Sequence, residues 1–475
     1  MKDTEWADKT VVVIGAGRSG KAASHLLLDL GARVIVTDLR PSQQLDGIDS
    51  LVERGATVAL GDHPENLWRN AAAAIISPGI ALSSPPAQSA LHRGVPVLAE
   101  IELAAPFIDA PVIGITGSNG KSTVTSMVGD ILQAGGLAPA VCGNIGLALS
   151  FAVRQQLNRK AVFQAYVVEL SSFQCEAIDH FHPHLAAILN LTADHLDRHG
   201  TFDSYTGAKL RLLKNCTVDD WFVYNQDDGT LRERLPATPA RRVPFSHRPP
   251  QASGKAAWVD EGKLWWCDGD GPRRQVMPVT ELNVIGPHNQ ENACAAAALG
   301  ALAGVPLKKI AAALSGFKGL EHRMEACGEI RGVRCINDSK ATNVDSTMAA
   351  LAGFHSGVWL ILGGRDKGAD FQRLRASVAE RVDRVLLIGE ATDKIATALH
   401  GSVPLVRCET LERAVSNALA SADVGDVLLL SPACTSFDQY ASFEARGNHF
   451  KRLVTSRRPA ARGGQEQTAV TTGDR

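Results

Sequence analysis

VIGITGSNGKST, residues 112–123, decides the fold. An apolar run enters a loop of Gly117, Ser118, Asn119 and Gly120, and Lys121, Ser122 and Thr123 open the stretch that follows. A buried strand, a glycine turn and a helix start make the usual grip on a nucleotide phosphate. The glycines free the backbone to wrap phosphate oxygens, the lysine reaches the terminal phosphates, and the Ser122 hydroxyl can be offered to magnesium. The strict pattern has glycine where Ile115 stands, but strand, loop and helix start are all in place. This loop is the better candidate for ATP.

A second glycine loop, VVVIGAGRSG at 11–20, precedes it by about a hundred residues. GAGRSG satisfies the dinucleotide pattern, and Asp38 closes the next strand eighteen residues after Gly20. Gly15 and Gly17 let the backbone approach a diphosphate, and the helix start offers its unpaired N–H groups. The motif alone favours a nicotinamide dinucleotide, any nucleoside diphosphate suits the same geometry, and a tight turn without a ligand is the bland alternative.

Outward from these loops the chain alternates strand and helix. VVVIG, RVIVTD, ATVAL (56–60) and AAAIIS (72–77) predict a compact βα domain over 1–99, and the proline-containing AAPFIDAPV is read as a hinge before the next. YVVELSS (166–172) and LAAILNL (185–191) read as inner parallel strands with polar ends, where ligands of such sheets sit. Residues 220–283 look like an antiparallel excursion, and GPHNQENACAAAALGAL opens a helix. Four β-like runs between helical stretches predict a third α/β unit. The expected architecture is therefore α/β in three domains: a Rossmann-like 1–99, a central P-loop ATPase-like parallel sheet with an antiparallel excursion over 100–319, and a Rossmann-like 320–455. Residues 456–475 lack apolar periodicity and are expected to be a disordered tail.

The 475 residues carry 49 basic and 50 acidic side chains, so no overall charge favours nucleic acid or an anionic membrane. Nine scattered cysteines without a CxxC pair suit a reducing cytosol. No signal-like start and no membrane-length apolar run is visible, which predicts a soluble cytoplasmic protein without membrane insertion.

Glu169 ends a strand beside the phosphate loop, and His195, in NLTADHLDRHG, follows the neighbouring one. A carboxylate there suits magnesium, although it could simply cap a helix. Lys209, in AKLR, reads by itself as an ordinary solvated lysine.

Taken together, TGSNGKST, GNIG, ELSSFQ, NLTADHLDRH, GPHNQEN, EHRME, NDSKATN, LGGRDKGADF and SPACTSFDQYASFEARGNHF resemble the Mur ligases over residues 10–455, most closely the glutamate-adding members. The resemblance implies an ATP-dependent ligase of peptidoglycan precursor synthesis, acting as a monomer on UDP-N-acetylmuramoyl-L-alanine, D-glutamate and ATP with two magnesium ions. It implies Arg18, Ser19, Asp38, Leu39, Arg40 and Asn144 at the uridine diphosphate substrate. Gly117, Ser118, Asn119, Gly120, Lys121, Ser122, Thr123, Asn289, Asn292, Arg323 and Asp338 are implied at ATP, with Lys340 near the terminal phosphate. It implies Ser122, Glu169, His195 and an N-carboxylated Lys209 at the metals, with Lys121, His195, Lys209 and Lys340 catalytic. Thr342, Lys367, Ser436 and Phe443 would meet glutamate. The His195 to Lys209 spacing is one residue shorter than in the family, which leaves AKLR intact. Ligases adding alanine or diaminopimelate, or extending folate with glutamate, are the rivals within the class. The DNPR-like pattern of the diaminopimelate adders is absent, and SPACTSFDQY favours glutamate. A dehydrogenase reading leaves Lys121, Glu169 and NDSKATN unused, and a non-catalytic nucleotide switch leaves the glutamate-side motifs unused.

Overall fold

The computed structural model describes residues 6–250, 254–284 and 286–457, so the expected tail lies almost wholly outside the described residues. The chain divides into two compact units, one ending at Gly319 and one beginning at Leu320.

The first unit opens with β1 (Thr10–Ile14), β2 (Arg33–Asp38), β3 (Thr57–Leu60), β4 (Ala71–Ile76) and β5 (Val97–Ala99), in the spatial order β3-β2-β1-β4-β5 and parallel throughout. Val11 to Ile14 are fully buried, as expected of β-branched residues in a strand covered on both faces. The order changes direction at β1, so the crevice outside its carboxyl end, where GAGRSG begins, is the natural ligand position.

Nine strands form the second sheet of this unit: β6 (Val112–Thr116), β7 (Pro139–Gly143), β8 (Ala165–Glu169), β9 (Leu185–Ile188), β10 (Trp221–Asn225), β11 (Arg241–Ser246), β12 (Gly254–Asp260), β13 (Lys263–Gly269) and β14 (Arg274–Pro278). Their order is β14-β13-β12-β11-β10-β9-β6-β8-β7, so β8 and β9 are inner strands flanking β6. The expected antiparallel excursion over 220–283 begins later than its composition suggests. β10, β11 and β12 all extend the parallel sheet, and antiparallel pairing begins only at β13, which lies between β12 and β14. Trp221 and Arg241 obscured this, because the aromatic and the cation stack on each other at the strand starts. Over the sheet, helix Lys121–Gly135 buries Val124, Met127, Val128, Ile131 and Leu132, a single apolar stripe at helical spacing.

The proposed hinge is a packed junction. Helix Glu100–Ala104 runs into the turn Ala105–Phe107, and Ala104 and Phe107 are buried in a core continuous with both sheets. The buried Glu102 carboxylate accepts the N–H groups of Asp179, His180 and Phe181 at 2.8–3.0 Å, and Glu100 Oε1 accepts Ser150 N–H at 2.6 Å. Buried carboxylates spent on otherwise unpaired amides fix the chain direction here.

The second unit holds one sheet, β15 (Glu325–Ile330), β16 (Val333–Asn337), β17 (Val358–Gly363), β18 (Val382–Ile388), β19 (Leu405–Glu409) and β20 (Val427–Leu430), ordered β15-β16-β20-β17-β18-β19. All pairs are parallel except β15 with β16. Where four runs are read in the sequence, six strands form. The additional two, β15 and β19, are the edges, and both are half-exposed with charged residues in place of an apolar run.

Candidate functional site

The first site is a cavity of 590 Å³ at the carboxyl ends of β1, β2 and β4, within the range of small-molecule sites. Arg18, Ser19, Asp38, Leu39, Arg40 and Asn144 all line it, so the structure brings together every residue assigned to the nucleotide-linked substrate. His63, Ser77, Pro78, Gly79 and Ile80 also line it and were missed. Ser77 follows the apolar run of β4 and was reachable by the strand-end rule used elsewhere, whereas His63 carries no sequence signal. Helix Arg18–Asp29 approaches so closely that a Cβ on Gly20 would lie 1.8 Å from the Gly15 carbonyl oxygen.

Asp38 does not stand ready for a ribose. Its Oδ2 accepts Ala16 N–H at 2.8 Å and Arg40 Nη2 at 2.7 Å, and its Oδ1 accepts Arg40 N and Nε at 2.9 Å each. Burial pushes the carboxyl up, but the Arg40 guanidinium and the two backbone amides more than offset it and hold Asp38 at about 2. The carboxylate thus stiffens the glycine turn and aims Arg40, a different task from the one a nicotinamide dinucleotide requires.

The second site is the rim shared by β6, β8 and β9. Parallel neighbours put their carboxyl ends side by side, which gathers the 117–120 loop, Glu169 and the 190–195 loop without further design. Asn190 Oδ1 accepts Asn119 N–H at 2.7 Å and Asn190 O accepts Ser118 N–H at 2.9 Å. Ser118 Oγ lies 2.8 Å from Tyr205 Oη and donates to Thr192 O, so its side chain belongs to the support of the loop. Gly120 has φ +84°, and a Cβ there would lie 2.4 Å from Asn292 Oδ1, which seats buried Asn292 and its partner Asn289 against the phosphate loop. Ser122 and Thr123 occupy the buried first turn of helix Lys121–Gly135, whose N–H groups point into the loop.

Two lysines converge here. Lys121 Nζ donates to Gly117 O at 2.9 Å and Ser118 O at 2.8 Å, folded back onto its own loop, and Lys209 Nζ donates to the same Gly117 O at 2.7 Å. Lys209, on helix Phe202–Leu210, is 1% exposed and lies 5.0 Å from the Tyr205 ring. Burial first, and the Lys121 ammonium second, push its amine down to about 7. The solvated-lysine reading of position 209 is thereby corrected: the helix turns that face inward. Tyr205, four residues earlier on the same face, was deducible from spacing and was missed.

Glu169 is 1% exposed. Its Oε1 accepts Asn144 Nδ2 at 2.6 Å, and among the described residues its buried Oε2 has no partner. It does not cap the adjoining helix, a task done by the capping box of Ser171 and Gln174. A buried, half-used carboxylate beside a phosphate loop fits a divalent cation. No group of three or more acidic, histidine or cysteine side chains arranged for a metal occurs among the described residues. His195, with φ +53°, begins the short helix Leu196–His199 on the same rim, its ring 5.0 Å from that of Phe173.

In the second unit, β16, β20 and β17 are parallel neighbours, and their carboxyl ends lead to Lys340, Ser436 and Lys367. Arg365 and Thr435 exchange backbone hydrogen bonds at 2.9 and 3.1 Å, which brings the Lys367 and Ser436 loops together. Lys340 Nζ stands 5.5 Å from the Phe443 ring, and Thr342 N–H donates to Lys340 O. Ser436 Oγ and Arg323 Nε are buried without a partner among the described residues. Asp338 accepts Ser431 Oγ at 2.8 Å and Met324 N–H at 3.2 Å, and burial pushes its carboxyl up to about 7. Arg446, buried on helix Phe443–Thr455, donates to Ser339 O, Cys434 O and Thr435 O and ties the Lys340 and Ser436 loops to one helix. Sequence reading missed it, because nothing local separates it from a surface arginine.

Fold and site define an α/β protein with a phosphate loop and a separate cavity at the carboxyl ends of its first parallel sheet. The chain matches the Mur ligase MurD-like N-terminal domain over residues 9–99, the Mur ligase middle domain over 115–300 and the Mur ligase glutamate ligase domain over 322–434. It belongs to the Mur ligase family. It is 45% identical to the UDP-N-acetylmuramoylalanine–D-glutamate ligase of Koribacter versatilis, covering 94% of this chain and 97% of the relative. With the enzyme of the same description from Acidobacterium capsulatum it shares 42%, over 96% and 98%. Among solved structures it resembles a pseudomurein peptide ligase type C from Methanothermus fervidus, at TM-score 0.60 and 19% identity over 94% of this chain and 100% of that one. It also resembles the MurF ligase of Thermotoga maritima in complex with ADP, at TM-score 0.58 and 16% identity over 90% and 96%. Both share the fold. Among the described residues no helix is long and apolar enough to cross a membrane.

Proposed function

We propose that the protein is an ATP-dependent amide ligase that adds D-glutamate to UDP-N-acetylmuramoyl-L-alanine in peptidoglycan precursor synthesis, releasing ADP and phosphate. One observation carries this reading: Asn144 lines the first cavity and is hydrogen-bonded to Glu169 on the rim of the phosphate loop. A nucleotide-linked acid held in the cavity would therefore end where a phosphate donor is gripped.

A carboxylate does not condense with an amine at neutral pH until its oxygen becomes a leaving group. The alanyl carboxylate attacks the γ-phosphate, forming an acyl phosphate as the bond to ADP breaks. The glutamate amine then adds to the acyl carbon, and the tetrahedral intermediate expels phosphate. Lys121 and the N–H groups at the start of helix Lys121–Gly135 neutralise the triphosphate, and Asn289 and Asn292 support the loop. Ser122 and Glu169 would hold one magnesium, and His195 with an N-carboxylated Lys209 a second. The ions supply charge neutralisation between two anions that must meet. Lys209 suits carboxylation, because an amine held down to about 7 is largely neutral at physiological pH and the carbamate would face the Lys121 ammonium. Thr342, Lys367, Ser436 and Phe443 receive glutamate, with Lys340 adding a cation to the same rim.

The test is ADP release with UDP-N-acetylmuramoyl-L-alanine and D-glutamate, L-glutamate or no amino acid. Release dependent on D-glutamate is expected; release with neither enantiomer, together with nicotinamide dinucleotide binding, would sink the proposal. Lys367→Ala is expected to raise the KM for glutamate about 10- to 100-fold, the worth of one charged hydrogen bond, at unchanged KM for ATP. Equal changes in both constants would remove Lys367 from the amino-acid site.

A further inference from the structure

Arg18 lines the first cavity, yet its guanidinium is turned toward the loop after β7. Nη1 donates to Gly146 O at 2.8 Å, and Nη2 donates to Asn144 O at 2.9 Å and Gly143 O at 3.4 Å. Its hydrogen-bond acceptors among the described residues are three carbonyls of one turn, reached across 125 to 128 residues of chain. The turn is otherwise held by Gly143 N–H to Leu147 O at 2.7 Å and by Asn144 N–H to Glu169 O at 2.9 Å. Its side-chain product is a single bond, the 2.6 Å donation from Asn144 Nδ2 to Glu169 Oε1 that leaves Oε2 unpartnered.

We propose that Arg18 is a positioning residue for the metal-binding carboxylate: by clamping the 143–146 turn it holds Asn144 on one oxygen of Glu169 and keeps the other available to a divalent cation. The inference rests on the phosphate-loop reading above and goes beyond the assignment of Arg18 to the nucleotide-linked substrate. A guanidinium carries five donors, so Arg18 retains N–H groups for an anion in the cavity while gripping the turn. Substrate phosphate at Arg18 and cation at Glu169 then stabilise the same arrangement, a coupling between two sites through one turn. Arrangements that orient a metal ligand by a hydrogen bond typically matter 10- to 100-fold in metal affinity; one step further out, a change of about 5- to 10-fold is expected.

The test uses the full-length protein with Mn2+ and ADP, reading bound Mn2+ by electron paramagnetic resonance and amide exchange over 141–147 by mass spectrometry. Arg18→Met should weaken Mn2+ binding about 5- to 10-fold and speed exchange in that segment, and Asn144→Ser should weaken Mn2+ at least as much. The double variant should be no worse than Asn144→Ser alone, because Arg18 acts through Asn144. Additive losses in the double variant, or Mn2+ affinity and exchange both unchanged in Arg18→Met, would overturn the proposal. Failure of the unaltered protein to bind Mn2+ with ADP would overturn the phosphate-loop reading itself, and this inference with it, without any appeal to ligase turnover.

Discussion

Glu169→Gln is expected to lower kcat by about 10³-fold while the fold survives. The amide has the shape of the carboxylate, and its oxygen can go on accepting Asn144 Nδ2. Its NH2 group would then occupy the place of Oε2, the buried oxygen that has no partner among the described residues. A donor there repels a cation, so the substitution removes a negative ligand and adds an opposing dipole at once. Charge stabilisation by a bound metal is worth several kcal/mol, and about 4 kcal/mol corresponds to 10³ in rate. The thermal midpoint should stay level or rise, because an unpaired buried carboxylate costs stability that a neutral amide does not. Loss of rate accompanied by a fall in the midpoint would indicate a structural role instead.

The second large effect is at Lys209. Lys209→Met keeps the apolar stem and should also lower activity by about 10³-fold, through loss of the carbamate oxygens as metal ligands. The pH dependence carries the sign of the argument. Below about 7 the wild-type amine is protonated and cannot add carbon dioxide; above it the neutral amine can, so at fixed dissolved carbon dioxide the carbamate and the activity should rise through pH 7. A carbamate resonance from 13C-labelled carbon dioxide should appear in the wild type and be missing in Lys209→Met. An identical resonance in both proteins would place the modification elsewhere.

What could be read from the chain, and what could not, follows from locality. The 112–123 stretch carries its strand, turn and helix start in consecutive residues, and GAGRSG does the same. Each local preference there agrees with the final fold. Edge strands β15 and β19 escaped because a strand with one exposed face and an unpaired edge needs no apolar run. The clamping contacts escaped for a different reason, even at Arg18, which is read in the sequence as a substrate residue. Arg18 on the 143–146 turn, Asn190 under the phosphate loop and Arg446 between two loops of the second unit each reach a partner 71 to 128 residues away. Their side chains are of kinds that sit on surfaces far more often than inside.

The sequence by itself determined the kind of protein: two glycine loops behind buried strands, a lysine and hydroxyl at a helix start, and an order of motifs over most of the chain. Those properties reside in neighbouring residues, where backbone freedom and periodicity act. Only the tertiary structure decided the electrostatics. Asp38 became a committed anion because Arg40 and two amides turn onto it, and Glu169 kept one oxygen unspent because the turn gripped by Arg18 reaches just one of the two. Lys209 became a weakly basic amine because folding removed water and set it on the same carbonyl oxygen as Lys121. Desolvation and charge proximity depend on distances through space, and no spacing along the chain encodes them.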